Sequence, residues 1–269
     1  MAKRRTFKTA DGVTLEYEVA GEGSPVLWQH GLGAPFTQPA AVFPDDEDLQ
    51  RITLACRGHE GSELGDPLHL TFQTFANDAL ALLDHLGIKK AAVGGISLGA
   101  GIAMRLAADH PDRVSRLILA RPAWVDQPSP KTQAAYLTVV EVLILHGMKD
   151  GLAAIQLRPE YLELAAASPD NAKSILSYFS RPRPETTVAL LSRISARYPG
   201  LAKHEIAKIK TPTLIIGNGE DVVHPLAYAK ALADLISGSQ LQIIKSKSMD
   251  AVAYQLEFKA ALAKFLLGA

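Results

Sequence analysis

The sequence predicts an α/β protein: a mostly parallel central sheet with helices on both faces and a helical cap inserted into it. Three observations predict this. Short apolar runs alternate with helix-period segments through residues 1–124, the alternation resumes over 205–269, and the stretch between them, 125–204, reads as helical and is studded with prolines. Strands and helices in alternation build parallel strands buried on both faces. The expected division is therefore a core of 1–124 plus 205–269, with 125–204 as the cap.

Two early strands are expected at 13–21 (VTLEYEVAG) and 24–31 (SPVLWQHG), joined by the Gly-rich segment GEGSP, which reads as a hairpin turn. RITLACRG (51–58) reads as a buried strand. TFQTFANDALALLDHLG (71–87) reads as a helix, because Phe72, Phe75, Ala79, Leu83 and Leu86 fall on one stripe, with Thr71 able to cap its start and Gly87 to end it. AAVGG is the next strand. The helix after it carries Leu98, Ile102 and Leu106 on one face and stops before Pro111. RLILARPAW (116–124), TPTLIIGNGED (211–221) and LQIIKS (241–246) complete the strands. A helix around 226–236 separates the last two, and YQLEFKAALAKFLL (254–267) closes the chain as an amphipathic helix. No strand pattern interrupts the cap, where Pro128, Pro130, Pro159, Pro169, Pro182, Pro184 and Pro199 punctuate helical sequence.

Composition narrows the function. Of 269 residues, 48% are apolar and 21% charged, ample for a buried core. The 28 Lys and Arg residues balance the 28 Asp and Glu residues, which removes any electrostatic case for nucleic acid or an anionic membrane as partner. No run is long and apolar enough to span a bilayer. The basic start, Lys3, Arg4 and Arg5, is interrupted by Lys8 and Asp11 and reads as a solvated terminus and not a secretory signal. Cys56 is the only cysteine, so no internal disulfide forms, and a cytoplasmic location is expected. No cluster has metal-ligand spacing; His59 and His69 are too far apart for a helical pair. No cofactor is expected either. GEGSP lacks a P-loop lysine, and GGISLGAG superficially matches a dinucleotide loop without its ribose-binding acid. The expected partner is a small-molecule substrate, and nothing in the sequence sets the oligomeric state.

Four stretches carry chemistry. Gly95-Ile96-Ser97-Leu98-Gly99 lies after a strand and before a helix and fits a G-x-S-x-G turn, which lifts a serine hydroxyl above the sheet and aims a helix N-terminus at developing negative charge. His30-Gly31-Leu32-Gly33 follows another strand. Arg57-Gly58-His59-Glu60-Gly61-Ser62 follows a third, and Gly217-Asn218-Gly219-Glu220-Asp221 a fourth.

Together these stretches resemble the α/β-hydrolase superfamily with a helical cap, over nearly the whole chain. The resemblance implies Ser97 as nucleophile, the N–H groups of Leu32 and Leu98 as oxyanion donors, and Asp221 as the acid that orients a histidine. Glu220 and Asp126 are the alternative acids. The 57–62 loop is similar to the family's R-G-x-G-x-S loop with its glycine displaced, and Cys56 beside it reads as buried and inert.

The sequence departs from the family at the base. The histidine belongs in the loop before the closing helix, here KSKSMDAVAY (245–254), and that loop has none. Three explanations compete. His224, in EDVVHP, serves as base with Asp250 or Asp221 orienting it, since triads are recognised by geometry and not by chain order. Lys245 or Lys247 serves instead, which requires a buried lysine. Or Ser97 is not activated, and the protein binds a small molecule or catalyses a non-hydrolytic, lyase-type step. His30 reads as a structural member of its loop, with the base role as the lesser alternative. Trp28, Trp124 and Tyr136 could line a pocket or belong to the core. Arg181 and Arg183 could hold a carboxylate, but read rather as a solvated loop of the cap. The leading expectation is cofactor-free hydrolysis of a small carboxylic ester or lactone through a Ser97 acyl-enzyme.

Overall fold

The computed structural model describes residues 2–268. Its centre is an eight-stranded sheet of β1 (Lys3–Lys8), β2 (Thr14–Ala20), β3 (Ser24–Gln29), β4 (Leu49–Leu54), β5 (Ala91–Ile96), β6 (Val114–Ala120), β7 (Thr213–Asn218) and β8 (Gln240–Ile244), in the order β1-β2-β4-β3-β5-β6-β7-β8. The first three strands in that order pair antiparallel, and every pair from β4–β3 onward is parallel.

Helices α1 (Thr37–Val42), α2 (Phe72–His85), α3 (Leu98–Asp109), α9 (Leu226–Leu235) and α10 (Ala251–Leu267) cover the sheet, and α4 (Pro130–Ile155), α5 (Pro159–Ala167), α6 (Pro169–Ser177), α7 (Pro184–Ile194) and the short α8 (Lys203–Ile206) lie between β6 and β7. Strand side chains alternate between two cores, as the two-residue period requires. Leu27, Leu117, Leu119 and Ile215 join α2 and α3 on one face, while Val26, Trp28, Ile118 and Ile216 join α1 and α10 on the other. Phe258 of α10 is fully buried edge-on against Trp28, with ring centroids 6.1 Å apart, and its loss would cost about 3–5 kcal/mol.

The helix expected over 71–87 forms over Phe72–His85, with Thr71 capping it by accepting the Thr74 N–H at 3.0 Å. Two expectations are corrected. GEGSP is not a hairpin turn, because β4 lies between β2 and β3, antiparallel to one and parallel to the other. The segment passes over the start of β4 so closely that a Cβ at Gly23 would meet the Asp48 backbone. Lys3, Arg4 and Arg5 are exposed but belong to edge strand β1, where Arg4 reaches Glu18 at 3.4 Å.

Candidate active site

The parallel strands end on one edge of the sheet, and that edge is strained. Among the described residues, four that are not glycine have left-handed φ: Glu60 (44°), Ser97 (56°), Arg121 (46°) and Glu220 (53°). They follow β4, β5, β6 and β7 in turn. Each such residue costs about 1–3 kcal/mol and persists only where its surroundings hold it, a pattern typical of functional sites.

Ser97 sits between β5 and α3, at φ 56° and ψ −108°, and is 8% exposed. Its neighbours must be glycine: a Cβ at Gly95 would lie 2.7 Å from the Gln29 carbonyl oxygen, and one at Gly99 would lie 2.6 Å from the same atom. The Ser97 N–H donates to the Ala120 carbonyl at 2.9 Å, and the Arg121 N–H donates to the Ile216 carbonyl at 2.7 Å. Ser97, Arg121 and the end of β7 are thus one strand spacing apart from each other, about 10 Å in all. Among the described residues the Ser97 hydroxyl makes no hydrogen bond, so it is not joined to any base.

The 30–33 loop lies beside this turn with its donors arranged. The Gly31 N–H donates to Gln38 Oε1 at 2.7 Å and the Gly33 N–H to His59 Nε2 at 2.8 Å, while the Leu32 N–H has no partner among the described residues. Leu98 opens α3, so its N–H has no carbonyl one turn back within the helix. The Tyr178 hydroxyl donates to the Leu32 carbonyl at 2.8 Å, and Arg181 donates to the Gly33 carbonyl at 2.6 Å.

His30 and His59 are occupied by backbone. His30 Nε2 accepts the Cys56 N–H at 3.1 Å and Nδ1 faces the Gly31 carbonyl at 2.8 Å; His59 Nδ1 faces the Cys56 and Arg57 carbonyls. Burial pushes His30 down to about 4 and His59 well below the ordinary histidine range. Both are neutral members of the loop scaffold, and neither is free to act as base. Cys56 is buried, and burial raises its thiol well above the usual range.

After β7, Asp221 and His224 form a pair. His224 Nδ1 lies 2.9 Å from Asp221 Oδ1, and the same oxygen accepts the His224 N–H at 3.1 Å. A carboxylate only accepts, so Nδ1 carries the proton and Nε2 the lone pair. Nε2 is buried with no hydrogen-bond partner among the described residues. Burial lowers the His224 pKa, Asp221 pulls it back up and Arg121 pushes it down again, leaving a neutral imidazole near pH 7. Burial works against the Asp221 anion, but its close contacts with His224 and the Arg121 guanidinium outweigh it and hold the carboxyl well below the usual range.

Among the described residues no hydrogen bond joins Asp250 to this pair. Asp250 is exposed and caps α10, accepting the N–H groups of Val252 and Ala253 at 3.1 and 2.9 Å. Lys245 is exposed, and Lys247 pairs with Asp170 at 2.9 Å while 43% exposed, so neither is the buried lysine a serine–lysine pair needs. Glu220 is exposed, and its carbonyl accepts from Ser168. Trp28 belongs to the core, donating to the Pro39 carbonyl at 3.1 Å. Tyr136 is buried, meets Tyr178 edge-on with centroids 5.8 Å apart, and feels the Asp221 charge. Arg181 and Arg183 are half-buried and fasten the cap to core carbonyls of Gly33, Gly58, Glu60 and Ser62, so they are not a solvated loop. They line a cavity of about 270 Å³ beside Gly33 and Glu60 that does not include Ser97, Asp221 or His224.

Arg121, Asp170 and Tyr178 escaped the sequence reading. Arg121 alone had a signal: an ionisable residue directly after a parallel strand, at the edge where α/β sheets bind ligands.

A model described as the alpha/beta hydrolase fold matches residues 24–247. The chain belongs to the α/β hydrolase fold family. Its relatives are hydrolases: 2-hydroxymuconate semialdehyde hydrolase of Pseudomonas sp. (strain CF600) is 28% identical over 87% of this chain and 83% of its own. The fold also matches solved family structures. The enol-lactonase of Burkholderia xenovorans LB400 superposes with a TM-score of 0.77 at 23% identity, covering 98% of this chain and 100% of that one. An esterase of Exiguobacterium antarcticum gives a TM-score of 0.77 at 20% identity, over 97% and 98% of the two chains. Among the described residues of this family member, no helix is long and apolar enough to cross a membrane and no group of three or more His, Cys, Asp or Glu side chains is placed to hold a metal.

Proposed function

We propose that the protein is a cofactor-free serine hydrolase of a small carboxylic ester or lactone. Ser97 is the nucleophile, His224 the general base, Asp221 its orienting acid, and the Leu32 and Leu98 N–H groups the oxyanion donors. The observation that carries this reading is His224 itself: its Nδ1–H is held by Asp221 and its Nε2 lone pair is buried without a partner. A buried acceptor left unpaired costs about 1–3 kcal/mol, a cost that a role in proton transfer explains.

In the reaction His224 Nε2 takes the Ser97 proton as the hydroxyl oxygen attacks the substrate carbonyl, and the resulting oxyanion lies between the two N–H donors. The imidazolium returns its proton to the departing alcohol oxygen, and water then hydrolyses the acyl-enzyme by the same route. The Ser97–His224 hydrogen bond is the contact that substrate binding must complete. The apolar cap interior, including Val139, Val142, Leu190 and Leu191, suits an apolar acyl or alcohol group.

The test is intact-mass labelling with a fluorophosphonate on the native chain, Ser97→Ala and His224→Ala. An adduct on the native chain that both substitutions abolish is the expected result. The free Ser97 hydroxyl favours a second reading, a non-hydrolytic lyase-type or small-molecule-binding member of the fold. No adduct on the native chain would select it.

A further inference from the structure

Arg121 is the least expected charge at this edge. It follows β6 with left-handed φ and is 8% exposed. Its Nε and one terminal nitrogen both meet Asp221 Oδ2, at 2.8 and 2.7 Å, and the same terminal nitrogen faces Asp170 Oδ2 at 3.5 Å. Asp221 is therefore divided between two partners: Oδ2 belongs to Arg121, and Oδ1 takes both hydrogen bonds from His224. A carboxylate held through one oxygen can turn about its Cβ–Cγ bond. One anchored at both oxygens cannot, and its plane is set.

The cap and the last loop share in this anchor. Asp170 stands in the first turn of α6, where Lys247 pairs with its Oδ1 at 2.9 Å and the Asp170 N–H donates to Ser248 Oγ at 3.2 Å. Asn171 Oδ1 accepts the Val223 N–H at 3.0 Å, directly beside His224. The loop that lacks the family's histidine thus fastens the cap residue that braces Arg121. Arg121 and Lys247 against Asp170 and Asp221 leave the cluster neutral.

We infer that Arg121 is a positioning residue: it fixes the Asp221 carboxylate through Oδ2 so that Oδ1 stays on His224 Nδ1 and Nε2 keeps its lone pair. This rests on the reading of His224 as base. The charged and titratable groups facing the pair are Arg121 from β6, Asp170 from α6, Tyr136 from α4 and Tyr254 from α10, with Lys247 acting through Asp170. Among the described residues Arg121 is the one cation in contact with Asp221, so removing it raises the His224 pKa and frees the acid to turn.

The experiment measures the His224 imidazole by ¹⁵N NMR, assigned with His224→Ala, and the pH profile of p-nitrophenyl acetate hydrolysis, in the native chain, Arg121→Met and Arg121→Lys. In the native chain the neutral ring should carry its proton on Nδ1. In Arg121→Met the tautomers should mix, the ring pKa and the acid limb of kcat/KM should rise together by about one unit, and kcat should fall about tenfold with KM little changed. Arg121→Lys should restore most of the pKa and less of the tautomer, because one amine cannot reproduce the planar double contact. An unchanged tautomer and ring pKa in Arg121→Met would overturn the inference. Should that variant not fold, Arg121→Lys decides on the same readout. Failure of the base reading looks different: the native chain would resist labelling or His224→Ala would keep its turnover, while the ring readout would still report whether Arg121 positions the pair.

Discussion

Tyr178 donates its hydroxyl to the Leu32 carbonyl at 2.8 Å, so a side chain of the cap holds the peptide that directly follows a proposed oxyanion donor, the Leu32 N–H. The Tyr178 ring also presses on Gly33, where a Cβ would collide with it. The loop is therefore held from the cap side by Tyr178 and Arg181 and from the core side by His59 and Gln38.

Tyr178→Phe keeps the ring and removes the donor. Stability should fall by about 1 kcal/mol, the worth of one buried hydrogen bond. If the loop geometry matters to the oxyanion, kcat should fall about tenfold with a smaller change in KM. Urea unfolding and steady-state kinetics on one preparation separate the effects. Lost stability with unaltered kcat would make Tyr178 a strut between cap and core and nothing more.

Ser97 should be a site where activity opposes stability. Its φ of 56° is one that glycine adopts freely and alanine does not. Ser97→Gly should therefore be more stable than Ser97→Ala by about 1 kcal/mol, or roughly 2 °C in melting temperature, with both inactive toward the fluorophosphonate. Equal melting temperatures would show that the surrounding structure, and not the residue, bears the strain.

The fold was legible where burial is two-sided. RITLACRG and TPTLIIGNGED are apolar enough to declare β4 and β7, and the Phe72–Phe75–Ala79–Leu83 stripe declares α2. Strand β1 was hidden because it is an edge strand: KRRTFK buries only Phe7, so it shows no apolar run. The order of β2, β4 and β3 depends on pairings between residues as far apart in sequence as Tyr17 and Leu54, which local pattern does not encode. At the site, Ser97, Asp221 and His224 each had a local signal, a turn or a strand end. Arg121 and Asp170 meet only after the cap folds onto the sheet, and nothing near either residue announces the other. Asp250 was drawn toward the site by the loop it occupies, whereas its own sequence context is an N-cap.

The two loop histidines predict how the protein responds to acid. His30 and His59 accept backbone N–H groups through Nε2, which only the unprotonated ring can do, and their centroids are 4.5 Å apart, so two cations there would repel. Burial holds His30 at about 4 and His59 well below its ordinary value, whereas the unfolded chain titrates both near the ordinary histidine value, roughly 6.5. Folded-state values lie below unfolded ones, so the unfolded chain binds more protons as pH falls through 6.5, and stability declines from there toward about 4. Each such histidine should contribute a slope of roughly 1.4 kcal/mol per pH unit across that window, and buried His224 should add to it. His59→Gln keeps an acceptor for the Gly33 N–H and removes one titration, so its urea-unfolding free energy should lose less between pH 7 and 5 than the native chain's. Parallel pH curves for the two proteins would sink this account.

Asp221 and Asp250 separate the two ways an aspartate could have served the site. Asp221 is 7% exposed and meets both His224 and Arg121; Asp250 is exposed and occupied with two N–H groups of α10. Asp221→Asn nearly preserves the shape, but its amide can turn an N–H toward Nδ1, favouring the tautomer that places the proton on Nε2, where the base must accept. A loss of roughly 10³–10⁴-fold in kcat is expected, as for other triad acids replaced by amides. Asp250→Ala should instead cost about 1 kcal/mol of stability, the usual worth of an N-cap, and leave turnover as it was. The paired measurement is kcat and the urea midpoint for both variants. If Asp250→Ala lost activity while Asp221→Asn kept it, the orienting acid would come from the last loop, and the Asp221–His224 pair would be only a brace for the cap.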